Sequence, residues 1–183
     1  MVEYDKTNVY SMQLSGGEQY HQAPLLTQYV VGLVGRMSHV VRTAFPDSRL
    51  SPTLASNKLA VCTGDGSSYD KHYDNSGGDD LRKLTCLYYI NPGWREELGG
   101  SFRVHTTLQD FEDVKPIGDR LLVFWSDRLV HSVRKSFAPE GNTDHRYALT
   151  VWLTTEDPGV IYDGEDVRQH FPDLHTVNSL NHY

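Results

Sequence analysis

Arg146-Tyr147-Ala148-Leu149-Thr150-Val151-Trp152-Leu153 decides the fold class. As a strand it sends Arg146, Ala148, Thr150 and Trp152 to one face and Tyr147, Leu149, Val151 and Leu153 to the other. Such alternation of β-branched and aromatic residues is the pattern of a half-buried strand. Working outward, the chain from Pro52 onward breaks into short runs of the same kind. Strands are expected over 58–62, 68–74, 84–91, 101–105, two within 120–137 split near Ser126-Asp127, and 146–154. Between them lie Thr63-Gly64-Asp65-Gly66, 75–80, Asn91-Pro92-Gly93, Leu98-Gly99-Gly100, Ile117-Gly118-Asp119 and 139–144, all rich in turn formers. Upstream the period changes to 3 and 4: Leu26, Val30, Leu33, Val34, Met37, Val40 and Val41 mark one face of a helix from Pro24 to Ala44. Pro24 suits its first turn and Pro46-Asp47 ends it. A short C-terminal helix is expected over 164–171. The reading is a mainly β sandwich or barrel with one long covering helix near the N-terminus.

The 183 residues, 38% hydrophobic and 22% charged, suit a single domain over 1–183 that can bury a core without disulfides. Lys and Arg number 17 against 24 Asp and Glu, a net charge of −7 with pI near 5.6, the wrong sign for a phosphate-backbone binder. Nucleic acid is therefore not an expected partner. Cys62 and Cys86 lack metal-ribbon spacing and sit in apolar stretches, which fits a reducing compartment. The start, MVEYDKTNVYSMQ, has no basic and apolar leader pattern, and no run approaches the ~20 apolar residues of a membrane span. A monomer in the cytoplasm, extending to the nucleus, is the expectation.

His72-Tyr73-Asp74 is the first candidate for chemistry, because residues i and i+2 of a strand share a face and can meet one ion. With nine His in the chain the tripeptide alone is weak evidence, and a solvated strand edge is the plain alternative. Fifty-nine residues beyond His72, His131 offers a third ligand after Leu121-Leu122-Val123-Phe124-Trp125 and Ser126-Asp127-Arg128. Two His and one carboxylate on one face of an octahedron form the site of non-haem Fe(II) oxygenases. His105 and His145 are decoys within the β region. Arg146, heading a half-buried strand, needs an anion: a dicarboxylate cosubstrate or a structural Asp or Glu. Arg134 and Lys135 are nearby competitors for that role.

HYDN (72–75), TCLYYIN (85–91), GGSFRVH (99–105), IGDRLLVFWSDR (117–128), HSV (131–133) and RYALTVW (146–152) occur in the order found in the hypoxia-inducible-factor prolyl hydroxylases, so the stretch 58–153 resembles that family. The resemblance implies a double-stranded β-helix, or jelly roll, with its core over about 58–154. It implies Fe(II) held by His72, Asp74 and His131, with 2-oxoglutarate and O2 as cosubstrates and ascorbate in support. Arg146 would hold the far carboxylate of 2-oxoglutarate with help from Tyr89. Thr150 would lie nearby, with Trp152 and Val133 lining the pocket. Cys62 stands where the family has a Tyr, which implies one hydroxyl contact fewer and a thiol near the iron. Arg82 matches a position at the substrate entrance. The implied activity is 4-hydroxylation of a proline in a protein substrate, a hypoxia-inducible-factor-like degradation motif or Skp1, as an oxygen sensor. The alternative is a non-catalytic jelly-roll module that binds metal or peptide.

Overall fold

The computed structural model describes residues 8–64, 66–138, 145–162, 164, 169–171 and 174. Helix α1 is Glu18–Gln22 and α2 is Pro24–Ala44. The strands are β1 (Val9–Met12), β2 (Leu50–Cys62), β3 (Ser67–His72), β4 (Arg82–Tyr89), β5 (Phe102–His105), β6 (Phe111–Val114), β7 (Leu121–Trp125), β8 (His131–Ser136) and β9 (Arg146–Thr155). They form a five-stranded sheet, β1-β2-β9-β4-β7, and a four-stranded sheet, β3-β8-β5-β6. Every strand pair is antiparallel, and the fold is the double-stranded β-helix.

β9 lies between β2 and β4, so its alternation acts on both sides of the larger sheet. Leu149, Val151 and Leu153 are fully buried and pack with Val30, Leu33 and Val41 of α2, joined by Leu50, Leu84 and Cys86. The opposite face belongs to the site. α2 has the expected bounds, but its stripe is narrower than the sequence suggests: Val40 is 56% exposed, while Leu26, Val34 and Met37 pack at the margin. Among the described residues no helix is long and apolar enough to cross a membrane.

Other differences have local causes. β2 starts at Leu50 rather than at residue 58, because a register shift between Leu50 and Ala55 accommodates Pro52, a residue tolerated in strands at bulges. β1 and β6 were not expected, since both are mostly exposed and carry no apolar alternation. Most of the expected C-terminal helix over 164–171 lies outside the described residues. Phe171 and Leu174 pack with Tyr73 and Val130. Leu153→Ala, which opens a cavity between α2 and the sheet, should lower unfolding free energy by about 2–5 kcal/mol. Val40→Ala should stay within about 0.5 kcal/mol. Urea denaturation of both checks this.

Candidate active site

β3 ends at His72, and Asp74 lies beyond it in a turn rather than within a strand as expected. Asn75 forces the turn. Its backbone N–H donates to the Ser126 carbonyl at 2.9 Å, and its side-chain amide donates to the carbonyls of Asp80 and Arg82 at 2.9 and 2.7 Å. The carboxylate is therefore aimed by its partners, not by strand alternation. Oδ2 of Asp74 accepts from Thr85 Oγ1 at 2.6 Å and from the Trp152 indole N–H at 3.2 Å. Since the Thr85 proton goes to Asp74, the Ser126 hydroxyl donates to Thr85 across 2.8 Å. That leaves Oδ1 facing His72 Nε2 and His131 Nε2, each 3.8 Å away.

His131 opens β8 and stands opposite His72 in the β3–β8 register. Nδ1 of His72 lies 2.7 Å from the Asp70 carbonyl, and Nδ1 of His131 lies 3.0 Å from the Leu129 carbonyl. A carbonyl only accepts, so both Nδ1 atoms carry a proton, and in the neutral ring that leaves the lone pair on Nε2, the atom facing Asp74. This is the tautomer a metal ligand needs. The three ligand atoms lie within 4.8 Å of one another, and among the described residues no other trio of His, Cys, Asp or Glu does so. Burial by itself would raise the Asp74 carboxyl, but His131, His72 and the Thr85 and Trp152 hydrogen bonds outweigh it and bring it down to about 2. Asp74 is thus anionic at neutral pH. Phe102 and Phe124 flank the His131 ring at 4.8 and 5.1 Å. Side-chain exposure falls from 19% at His72 through 11% at Asp74 to 6% at His131, so the site opens on the His72 side. Two imidazole nitrogens and one carboxylate oxygen converging on one point fit Fe(II) and leave coordination positions for other ligands.

The other end of the inward face carries Arg146. Its Nε donates to the Gly100 carbonyl at 2.8 Å, Nη2 reaches Tyr89 Oη at 3.5 Å, and Cζ lies 5.1 Å from the Tyr89 ring. Arg146 and Tyr89 are buried, and among the described residues no Asp or Glu pairs with Arg146. Burial raises the Tyr89 phenol against the pull of Arg146, so it is a neutral donor. Tyr88 faces the other way and packs against Tyr29, with ring centroids 4.6 Å apart and planes tilted by 32°. The competitors drop out: Arg134 is exposed and pairs with Asp113 at 3.1 Å, and Lys135 is exposed. Cys62 is buried opposite Arg146, which puts the thiol at the guanidinium end of the face. Thr150 pairs with Lys58 on one side and Leu87 on the other, while Val133 pairs with Tyr69 and Phe102.

Arg82 grips Asp80 with Nε and Nη2, and its Cζ lies 5.1 Å from the Trp152 ring. Lys58 was not foreseen. Its Nζ lies 5.4 Å from the same ring, and burial lowers its ammonium. Its place on the inward face could have been read from strand parity, once the pairing of residue 58 with Thr150 was known. Ser126 was also missed, since its link to Asp74 through Thr85 spans three elements.

The 2OG-Fe(II) oxygenase superfamily profile matches residues 58–154, and the chain belongs to that superfamily. Prolyl hydroxylase EGLN3 of Homo sapiens is 45% identical over 97 residues, 51% of this chain and 38% of that protein. The chain thus spans well under half the length of that relative. A prolyl 4-hydroxylase structure from Phytophthora capsici superposes with TM-score 0.69 at 31% identity, covering 80% of this chain and 48% of that one. A Trichoplax adhaerens prolyl hydroxylase, solved with a hypoxia-inducible-factor oxygen degradation domain peptide fragment, gives TM-score 0.67 at 28% identity, covering 82% and 64%.

Removing the hydrogen bonds that aim Asp74 should loosen a bound ion without removing a ligand. Thr85→Val should weaken Mn(II) or Fe(II) binding by about 10- to 100-fold. Calorimetric titration under nitrogen checks it, and unchanged affinity would mean that Oδ1 is held without Thr85.

Proposed function

We propose that this chain carries the catalytic part of a peptidyl-prolyl 4-hydroxylase that uses O2 and 2-oxoglutarate and acts as an oxygen sensor on a protein substrate. One observation carries the reading: the same inter-sheet face joins the His72–Asp74–His131 donor set to a buried guanidinium with no acidic partner among the described residues. The names of the relatives support the proline, and the peptide in the Trichoplax adhaerens structure supports a protein substrate. A hypoxia-inducible-factor-like degradation segment is the first substrate in this reading and Skp1 the second. Ascorbate serves as supporting reductant. A monomer in the cytoplasm or nucleus is in keeping with the acidic composition and free cysteines.

When bound, Fe(II) would activate O2, the oxidant, one of whose atoms ends in succinate as 2-oxoglutarate loses carbon dioxide and the other in the hydroxyl that replaces a prolyl C–H hydrogen. The protein does the rest. His72, Asp74 and His131 would hold the ion through three donors and leave room beside it for cosubstrate and oxygen. Arg146 and Tyr89 hold the far carboxylate where water is excluded and a charge-assisted pair is strongest. Thr150, Val133 and Cys62 shape the space between, and Phe102 and Phe124 keep water from His131. Arg82, beside Trp152, stands on the substrate side.

His131→Ala and Asp74→Ala should each abolish succinate release from 2-oxoglutarate, with or without peptide, and full activity in either would remove the triad from the reaction. Arg146→Ala should raise the apparent KM for 2-oxoglutarate by roughly 30-fold or more, the equivalent of losing about 2 kcal/mol or more from a buried ionic contact. Mass spectrometry of proline-bearing peptides should show one added oxygen atom on proline. Its absence from every candidate, with succinate release intact, would leave the oxygenase and overturn the substrate class.

A further inference from the structure

Two cations share one indole. Lys58 Nζ lies 5.4 Å from the centre of the Trp152 ring and Arg82 Cζ lies 5.1 Å from it, while the ring's own N–H donates to Asp74. Arg82 has its counter-ion, since both carboxylate oxygens of Asp80 accept from it. Lys58 has none: among the described residues it makes no hydrogen bond or ion pair. Burial lowers its ammonium, and Asp74 is the carboxylate whose charge offsets that.

The strand position of Lys58 says what such an ammonium serves. Directly paired residues share a face, so the β2–β9 register turns Ser56, Lys58, Ala60 and Cys62 inward, opposite Trp152, Thr150, Ala148 and Arg146. Asn57, between them, points outward and bonds both backbone groups of Leu14. Exposure is graded along the inward face. Cys62, Ala60, Ala148 and Arg146 are 6% exposed or less, whereas Ser56, Lys58 and the neighbouring Arg82 are half-buried. The face is closed at the guanidinium end and open at the indole end. Roughly 13 Å of strand separates the backbone of Lys58 from that of Cys62, opposite Arg146. The cosubstrate carboxylate of the proposed function belongs to the closed end, so the ammonium stands where a larger molecule approaches the His72–Asp74–His131 set.

A half-buried ammonium covered by apolar or cationic side chains would lose water and gain nothing for it. The anion that a polypeptide can bring there is the carboxylate of Asp or Glu, and the same ammonium repels Lys and Arg. We infer that Lys58 is a specificity-determining residue, whose ammonium pairs with an acidic side chain of the protein substrate laid across Trp152. One indole separates it from Asp74, and an extended peptide advances about 3.5 Å per residue, so the acid falls within roughly three residues of the reacting proline. The inference rests on the proposed function for the proline but not for the acid.

The test uses the intact chain loaded with Mn(II) and 2-oxoglutarate under nitrogen, where binding is read without turnover. The probes are the peptide fragment bound in the Trichoplax adhaerens structure with every Asp and Glu replaced by its amide, and versions carrying a single Glu or Lys at each position around the proline. Calorimetry should find one position at which Glu binds about tenfold more tightly than Gln, as expected for a hydrogen bond between charged groups. Lys58→Met should erase that ratio, Lys58→Arg should keep most of it, and Lys58→Glu should reverse it in favour of the Lys peptide, a gain that an unfolded variant cannot show. A Glu preference at no position, or one that survives Lys58→Met, overturns the assignment. So does a Lys58→Met variant that loses 2-oxoglutarate affinity with the peptide ratio intact, which gives the ammonium to the cosubstrate. Mass spectrometry of the preferred peptide after incubation with Fe(II) in air is scored separately: a Glu preference that depends on Lys58, with no oxygen added to proline, sinks the hydroxylase reading and leaves the acid site standing.

Discussion

β9 has a strand on each edge and carries hydrocarbon on one face and Arg146, Thr150 and Trp152 on the other. The apolar side is straightforward: Leu149, Val151 and Leu153 vanish beneath α2. On the polar side every donor taken from water must find an acceptor or cost free energy. The Trp152 indole finds Asp74, and Arg146 finds the Gly100 carbonyl and the Tyr89 ring. A slip of one residue would exchange the faces and place a guanidinium under the helix. Packing against α2 therefore fixes the register, and the register fixes the chemistry on the opposite side.

That inner face is electrically two-ended. Around Asp74 the protein supplies an anion and two imidazoles whose Nε2 atoms face it, a set that calls for a cation. Around Arg146 it supplies a fixed cation and a neutral phenol, a set that calls for an anion. Both ends are screened from water by the facing sheet, where charge pairing is stronger than at a surface. A metal ion and a dicarboxylate satisfy both requirements together, which is why the cosubstrate class follows from the residues as well as from the family.

Much of this was legible in the amino-acid order, for definite reasons. The alternation in 146–153 is strict, and the ligand residues sit beside recognisable runs, so His72, His131, Arg146 and Tyr89 could be named. Asp74 could be named but not placed, because Asn75 turns the chain by bonding to carbonyls five and seven residues ahead. Ser136 is 2% exposed although strict alternation from His131 and Val133 would turn it outward, because β8 uses three residues where β3 uses two between Tyr69↔Val133 and Ser67↔Ser136, a bulge visible only once the strands are paired. β6 escaped for a different reason: Phe-Glu-Asp-Val on an exposed edge has no buried face to leave a pattern.

The buried pair of Lys83 and Asp127 shows how far the aiming of one carboxylate reaches. Asp127 Oδ2 accepts from Lys83 Nζ at 2.6 Å and from the Tyr162 N–H at 2.8 Å, while Lys83 also donates to the Val160 carbonyl. Desolvation cancels most of the stability such a pair would otherwise supply. Its position is another matter. Asp127 follows Ser126, whose N–H donates to the Lys83 carbonyl, whose own carbonyl takes the Asn75 N–H, and whose hydroxyl reaches Asp74 through Thr85. The ion pair thus pins the turn between β7 and β8, and that turn sets both the bend after His72 and the direction of the carboxylate. An apolar replacement of equal volume could keep the fold, but the turn that carries Ser126 would lose its ties to the Tyr162 N–H and the Val160 carbonyl.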